Sequence, residues 1–408
     1  MSSNVWPFTK QPHKYGYENN PNWTDDPAHT NKHHPCGYWP VGASILTQPE
    51  VRYTLYSCGR AINGCLGRAA GDANIFLPMD DISHFYKVSL GNCNGLYIKH
   101  DKTLWALGSN NSGELGTGDK NPCTTMTQIG TDHDWESVSR TGAGHSLATK
   151  EDGSLWSCGS SVYGALGLND TVERLTFQQV GAEFDWASVH GIVYSSYAIK
   201  ENGDLYSWGH GANDNLGHGN GQDYHIPTQV TTNGGGFDSI TGGYYSAIGL
   251  KSGKIWSCGY NGYGCLCLDN TTGGINTFTE RAAGETWDSV HCGDKHVMLI
   301  KNDGTLHGVG INGTGCLGLD DQVARTVVTP VGTDTDWIMA QANGEYAFSM
   351  ALKADGSLYS CGSNYWNQLG LGSQLAQGPL VFTEVDGTWG TVICGDSHSH
   401  IGESVYEW

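Results

Sequence analysis

A thirteen-residue pattern that occurs seven times is what most restricts the fold of this chain. It first reads LYSCGRAINGCLG at residues 55–67. It returns as LWALGSNNSGELG from Leu104, LWSCGSSVYGALG from Leu155, LYSWGHGANDNLG from Leu205, IWSCGYNGYGCLC from Ile255, LHGVGINGTGCLG from Leu306 and LYSCGSNYWNQLG from Leu358. Successive copies start 49, 51, 50, 50, 51 and 52 residues apart. A period of this size signals one supersecondary unit used repeatedly, as in solenoids and propellers.

A second marker runs out of phase with the first. An aromatic opens a short β-type segment at Phe85, Trp135, Trp186, Phe237, Trp287, Trp337 and Trp389. Between the two markers lie KEDGSLW, KENGDLY, KNDGTLH and KADGSLY, with KSGKIW and KHDKTLW as variants. Asp-Gly and Asn-Gly between alternating apolar residues supply the positive φ angles of a tight hairpin turn. Each unit therefore holds about four short strands, one propeller blade. The expected fold is all-β: a seven-bladed β-propeller over residues 51–408, preceded by an extended arm over 1–50. The first LYSCG copy has no aromatic segment before it, and the last aromatic segment has no LYSCG copy after it. The strands from Trp389 to about Val405 should therefore pair with the strand around Tyr53–Cys58 and close the ring, with Tyr53, Leu55, Tyr56, Trp389 and Val392 at the closure. A closed ring leaves no free sheet edge between its ends.

These repeats resemble the regulator of chromosome condensation family, whose pattern is DG-x-L-[WY]-x-x-G-x-N-x-x-G-x-LG. The resemblance spans residues 51–408 and implies the propeller fold. It implies several functions, since family members include a nucleotide exchange factor for a small GTPase, β-lactamase inhibitors, ubiquitin-ligase modules and structural proteins of tailed bacteriophages, and fold does not choose among them. Exchange activity in the family depends on a wedge-like insertion and a basic N-terminal tail. Here the repeat spacing is nearly constant, and residues 1–50 carry three lysines and no arginine. The family's Gly-x-x-His motif survives at His145, His296 and His398, where repetition around a ring argues for structural histidines that hold loop backbone.

Charge removes several classes of function. The formal net charge is −20, from 41 acidic and 21 basic residues. Nucleic acid binding needs a lysine and arginine footprint against phosphate, so polyanionic partners are disfavoured. The first residues, MSSNVWPFTKQPHKYGYENN, lack an apolar core of signal-peptide length, and no apolar run reaches membrane-span length. The expectation is cytoplasmic synthesis without signal-peptide export and without membrane insertion.

Thirteen cysteines raise the question of metals and disulfides. Cys58, Cys158, Cys258 and Cys361 share one repeat position with Leu107, Trp208 and Val309, which marks it as buried and apolar. Cys65, Cys265 and Cys316 share another with Glu114, Ala165, Asn215 and Gln368. Equivalent positions of different blades are too far apart to bridge or to share a zinc ion. His29, His33, His34 and Cys36 lie outside the repeat, and their spacing matches no standard finger. Asp134, Asp185 and Asp336 recur with the repeat and are expected to cap or turn the chain entering a strand. No catalytic motif stands out. The expectation is a protein without catalytic residues, resident metal or cofactor, although a propeller mouth can assemble a site that no linear motif reveals.

Seven of the chain's 12 prolines fall within residues 1–50. So do Trp6, Phe8, Tyr15, Tyr17, Trp23, Tyr38 and Trp39, which are read as anchors on the chain's own propeller or on a neighbour. Within the LYSCG motif the residue before the fourth glycine position varies, being Asn63, Ser112, Tyr163, Asn213, Tyr263, Thr314 and Trp366. Of these, Tyr163, Tyr263 and Trp366 are candidate face-binding residues. The reading that joins these features is a non-enzymatic structural module of a bacteriophage virion. In it the arm binds other virion proteins, and a propeller face decorates the particle or meets a host surface receptor. Alternatives are a binding inhibitor or regulator of a host enzyme and a glycan-binding or glycan-hydrolysing protein.

Overall fold

The structure is a computed structural model that describes residues 52–405 apart from 69–70, 82–83, 143, 272, 282–283, 344–346 and 374–375. The arm residues Trp6, Phe8, Tyr15, Tyr17, Trp23, Tyr38 and Trp39 and the His29, His33, His34 and Cys36 cluster lie outside the described residues.

Each repeat forms a four-stranded antiparallel blade. In blade 6 the strands are Trp287–Cys292, His296–Lys301, Leu306–Gly310 and Arg325–Pro330, hydrogen-bonded in that order. The aromatic marker thus opens the first strand, the lysine ends the second, and LYSCG is the third. Blades 2, 3, 4, 5 and 7 repeat the plan, with first strands Phe85–Leu90, Trp135–Arg140, Trp186–Ile192, Ser239–Gly242 and Trp337–Ala342. Among the described residues the only helical elements are the short 3₁₀ turns Ile62–Gly64 and Val162–Gly164. No described helix is long and apolar enough to cross a membrane.

Blade 1 is built from both ends of the described chain. Its strands are Thr391–Cys394, His398–Val405, Arg52–Gly59 and Ala73–Pro78. The N-terminal strand pairs continuously with the last strand, from Arg52 opposite Val405 to Gly59 opposite His398. Tyr53 pairs through its backbone with Ser404 and also with Phe85 of blade 2. Leu55 is buried in the cluster that blade 1 shares with blade 2 and Val392 in the one it shares with blade 7, and Tyr56 meets the Trp389 ring edge-on at 5.2 Å. Closure is thus as expected, with one refinement. The segment carrying Val392 pairs with the last strand rather than with the N-terminal one, and Trp389 sits just ahead of it.

First strands contact their neighbours around the whole ring, including Thr391–Cys394 against Phe85–Leu90, so they line the centre. Side chains on these strands accept the next blade's amides: Ser89 Oγ from Arg140 at 2.8 Å, Ser139 Oγ from Gly191 at 2.9 Å, Thr241 Oγ1 from Cys292 at 3.4 Å and His291 Nδ1 from Ala342 at 3.3 Å.

The shared cysteine position links blades as well as filling the core. Fully buried Cys58, Cys158 and Cys258 donate their thiols to the carbonyls of Gln368, Glu114 and Asn215 at 3.2, 3.4 and 3.1 Å. Cys361 does the same to Cys316 at 3.5 Å. In blade 4 the Trp208 indole takes over, donating to Ala165 at 2.9 Å. Those five carbonyls occupy the second cysteine-bearing repeat position, so the two positions meet across each of these blade boundaries. All twelve described cysteines are buried, and none forms a disulfide.

The recurring aspartates do not cap strands with their side chains. Asp134 and Asp132 ion-pair with Lys150 at 3.0 and 2.6 Å, Asp185 and Glu183 with Lys200 at 3.0 and 2.9 Å, and Asp336 and Asp334 with Lys353 at 3.2 and 2.6 Å. Each ammonium also lies 4.9 Å from the centroid of the first-strand ring, Trp135, Trp186 or Trp337. The aspartate therefore holds the lysine over the aromatic, and only its backbone carbonyl serves the turn, as in Glu151 N to Asp134 O at 2.8 Å.

Candidate functional site

Strand order sets which loops share a face. The turn between the first and second strands and the loop between the third and fourth emerge on one side, called here the loop face. Hairpins joining second and third strands, such as Asn302–Gly304, emerge on the other.

One backbone hydrogen bond recurs in all seven blades and fixes the loop face. The residue that follows the third strand donates its N–H to the first-to-second-strand turn. The pairs are Arg60 to Ser397, Ser109 to Cys93, Ser160 to Gly144, His210 to Tyr194, Tyr260 to Tyr245, Ile311 to Lys295 and Ser363 to Ala347, at 2.8–3.2 Å. The preceding residue is always glycine. At Gly259, φ is +103° and a Cβ would stand 2.4 Å from the Tyr245 carbonyl oxygen, so no other residue fits without distortion.

This contact lines up an aromatic arc across blades 3–5, flanked by Lys295 of blade 6. Tyr163 packs at 4.3 Å on His210 and 5.7 Å from Tyr194. His210 lies 6.4 Å from Tyr245, which touches Tyr244 at 4.3 Å and Tyr260 at 6.5 Å. Tyr260 continues to Tyr263 at 5.5 Å. The Lys295 ammonium lies 5.2 and 6.0 Å from the centroids of Tyr263 and Tyr244. Tyr163 and Tyr260 keep 40% and 43% of their surface in solvent, and the other members are half-buried. A hydrogen bond with Tyr244, followed by burial, raises the Tyr245 hydroxyl above its ordinary pKa.

Trp366 stands apart from Tyr163 and Tyr263, in blade 7. Its ring carries the Arg60 guanidinium at 3.8 Å and meets Tyr365 at 4.8 Å. Beside it opens a polar cleft of ≈ 450 Å³ lined by Arg60, Asn63, Asn92, Ser112, Glu114 and Arg140, among others. Arg140 is buried against Glu114 at 3.3 Å and donates to the Thr141 and His145 carbonyls at 2.6 and 2.7 Å. The loop face thus has an aromatic part over blades 3–5 and a polar part over blades 7, 1, 2 and 3.

The motif histidines take no part in this surface. His145 Nε2 lies 3.0 Å from Ser196 Oγ and His296 Nε2 lies 2.9 Å from Ser349 Oγ, so each joins its blade to the next rather than holding loop backbone. His398 has Gly95 at the position equivalent to Ser196, and neither of its ring nitrogens has a partner. Burial lowers His145 to about 3 and His296 and His398 to about 4, which keeps all three neutral. Burial raises the thiols of Cys58, Cys258 and Cys361 well above their ordinary value, so they are poor nucleophiles. Among the described residues no group of three or more His, Cys, Asp or Glu side chains could hold a metal ion. The exposed groups of the face are ring faces, amides and a guanidinium.

Sequence reasoning singled out Tyr163, Tyr263 and Trp366 and missed Arg60, Tyr194, His210, Tyr244, Tyr245, Tyr260 and Lys295. A signal for part of this set was available, because the position just after the LYSCG glycine reads Arg, Ser, Ser, His, Tyr, Ile and Ser.

Residues 202–250 and 355–401 match the model of the regulator of chromosome condensation (RCC1) repeat. Two stretches of the chain thus carry a recognisable RCC1 repeat. The Ultraviolet-B receptor UVR8 of Arabidopsis thaliana is 26% identical over 307 residues, covering 71% of this chain and 68% of that protein. The RCC1 domain-containing mitochondrial protein RUG3 of the same plant is 26% identical over 371 residues, covering 80% and 82%. Among solved structures, Prp20p of Saccharomyces cerevisiae, described with its binding to Gsp1p and histones, superposes with a TM-score of 0.74 at 17% identity over 88% of this chain and 92% of that one. That likeness is one of fold, the β-propeller.

Proposed function

We propose that this propeller is a non-enzymatic docking module that binds a protein partner through its loop face. The tyrosine arc carries the reading. Partly exposed tyrosines held in place by their neighbours offer large contact area with little side-chain entropy left to lose, the composition typical of protein-binding surfaces. Prp20p, whose fold this chain shares, is described by its protein partners. The test is to purify the protein with its partner and compare paired variants. Tyr163→Ala with Tyr260→Ala on the loop face should release the partner without changing Tm. Glu151→Ala with Glu201→Ala, on the hairpins of the opposite face, should retain it. Loss of the partner only from the second pair would assign docking to the other face.

The finer reading places the module in a tailed-bacteriophage particle, with residues 1–50 joining it to other virion proteins and the loop face left to decorate the particle or meet a host receptor. It rests on the proline- and aromatic-rich composition of those 50 residues. Co-sedimentation with particles, lost on deleting residues 1–48, tests it; free soluble protein in an infected lysate would contradict it.

A further inference from the structure

The tyrosines of blade 5 form a more specific feature than a flat aromatic patch. Tyr244 and Tyr245 meet at 75°, Tyr245 and Tyr260 at 89°, and Tyr260 and Tyr263 at 76°. Successive rings stand nearly perpendicular, so they present walls at angles to one another rather than one continuous plane. Ring faces are electronegative, and several of them turned about one point attract a cation. The molecule already shows that preference, since the Lys295 ammonium lies within 6.0 Å of two of these ring centroids. The chain carries 20 more acidic than basic residues, which favours approach of a positively charged partner over long range.

We propose that the cluster of Tyr244, Tyr245, Tyr260 and Tyr263 is a cation-binding site that receives a lysine or arginine side chain from a basic segment of the partner protein. The proposal rests on the loop face being the docking surface and states what that surface recognises. Tyr260, the most exposed of the four, covers the incoming cation, while Tyr244 and Tyr245 form the wall behind it. Lys295 competes for the same ring faces.

The experiment titrates the full chain with a peptide of four lysines spaced by Gly-Ser, its trimethyllysine form, and its glutamine and glutamate counterparts. The lysine and trimethyllysine peptides should bind, because trimethylation keeps the charge and the ring contact while removing hydrogen bonding. Tyr245→Leu with Tyr260→Leu, which leaves net charge unchanged, should weaken both at least fivefold. Tyr260→Phe, which keeps the ring, should bind as the parent does, as should Phe184→Leu, whose exposed side chain lies in the connection from blade 3 to blade 4, away from the loop face. Lys295→Ala should bind more tightly. Unchanged affinity in the double leucine variant would overturn the proposal, because diffuse negative charge would then explain binding. Equal, tyrosine-dependent binding of the glutamine peptide would also overturn it, while leaving the face as a docking surface. A partner retained by the Tyr163 and Tyr260 alanine variant would remove the docking reading separately.

Discussion

Glycine at the end of each blade's third strand is where the loop face begins. Gly259 combines a φ of +103° with a carbonyl oxygen 2.4 Å from where a Cβ would lie. Gly259→Ala should destabilise the protein by about 1–3 kcal/mol, read as a lower urea midpoint, and should displace Tyr260 from Tyr245. A neutral outcome would mean that the turn relaxes freely. Five histidines give a pH prediction. His145, folded near 3, and His190, His291, His296 and His398, folded near 4, all sit below the ordinary 6.5 of the unfolded chain. Their folded values are depressed, so the stability they contribute is complete above about pH 6.5 and is lost as pH falls from 6.5 toward 4. Thermal unfolding should show Tm falling through that window, and less steeply in His296→Gln. The motif histidines were legible in sequence as structural. Their serine partners were not, because Ser196 and Ser349 lie one repeat onward, at positions that look like ordinary strand residues.

Strands and their order follow from local pattern, which is why the element scale was the most readable. Alternation around Leu155–Gly159 and the Asp-Gly hairpin before it are short-range features, and neighbouring sequence suffices to find them. Blade 1 followed from counting markers at the two ends. What local pattern misses is contact between blades. Nothing near Cys258 in sequence points to the carbonyl of Asn215, so the thiol was read as filler when it is also a donor. Trp208 performs the same task in blade 4, and Trp208→Phe should cost about 1–3 kcal/mol by removing one of the two donors to the Ala165 carbonyl, the other being Ser196 Oγ, and leaving the indole space unfilled. Equal stability of Trp208→Phe and the parent in urea would show that bond to be dispensable. At the closure, Trp389→Ala removes the ring that Tyr56 and Phe76 pack against and should cost about 3 kcal/mol. Its loss should speed unfolding, measured by stopped flow. An unchanged unfolding rate would mean the last strand is held by its pairing with Arg52–Gly59 alone.

At the scale of the whole molecule, the ring brings together what the sequence keeps about fifty residues apart. Tyr163, His210 and Tyr260 come from three repeats, and their adjacency depends on the angle between blades, which no single repeat encodes. For the same reason Tyr163 and Tyr263 were visible as a variable position, while Tyr194 and Tyr245, in turns before the second strand, were not. The account's central claim is that the protein docks its partner through this loop face. Hydrogen exchange of the purified complex against the free protein tests it most directly. The account predicts slowed exchange in segments 193–194, 243–245 and 260–264, with no change in the hairpins 201–203, 252–253 and 302–304. Protection confined to those hairpins would contradict it.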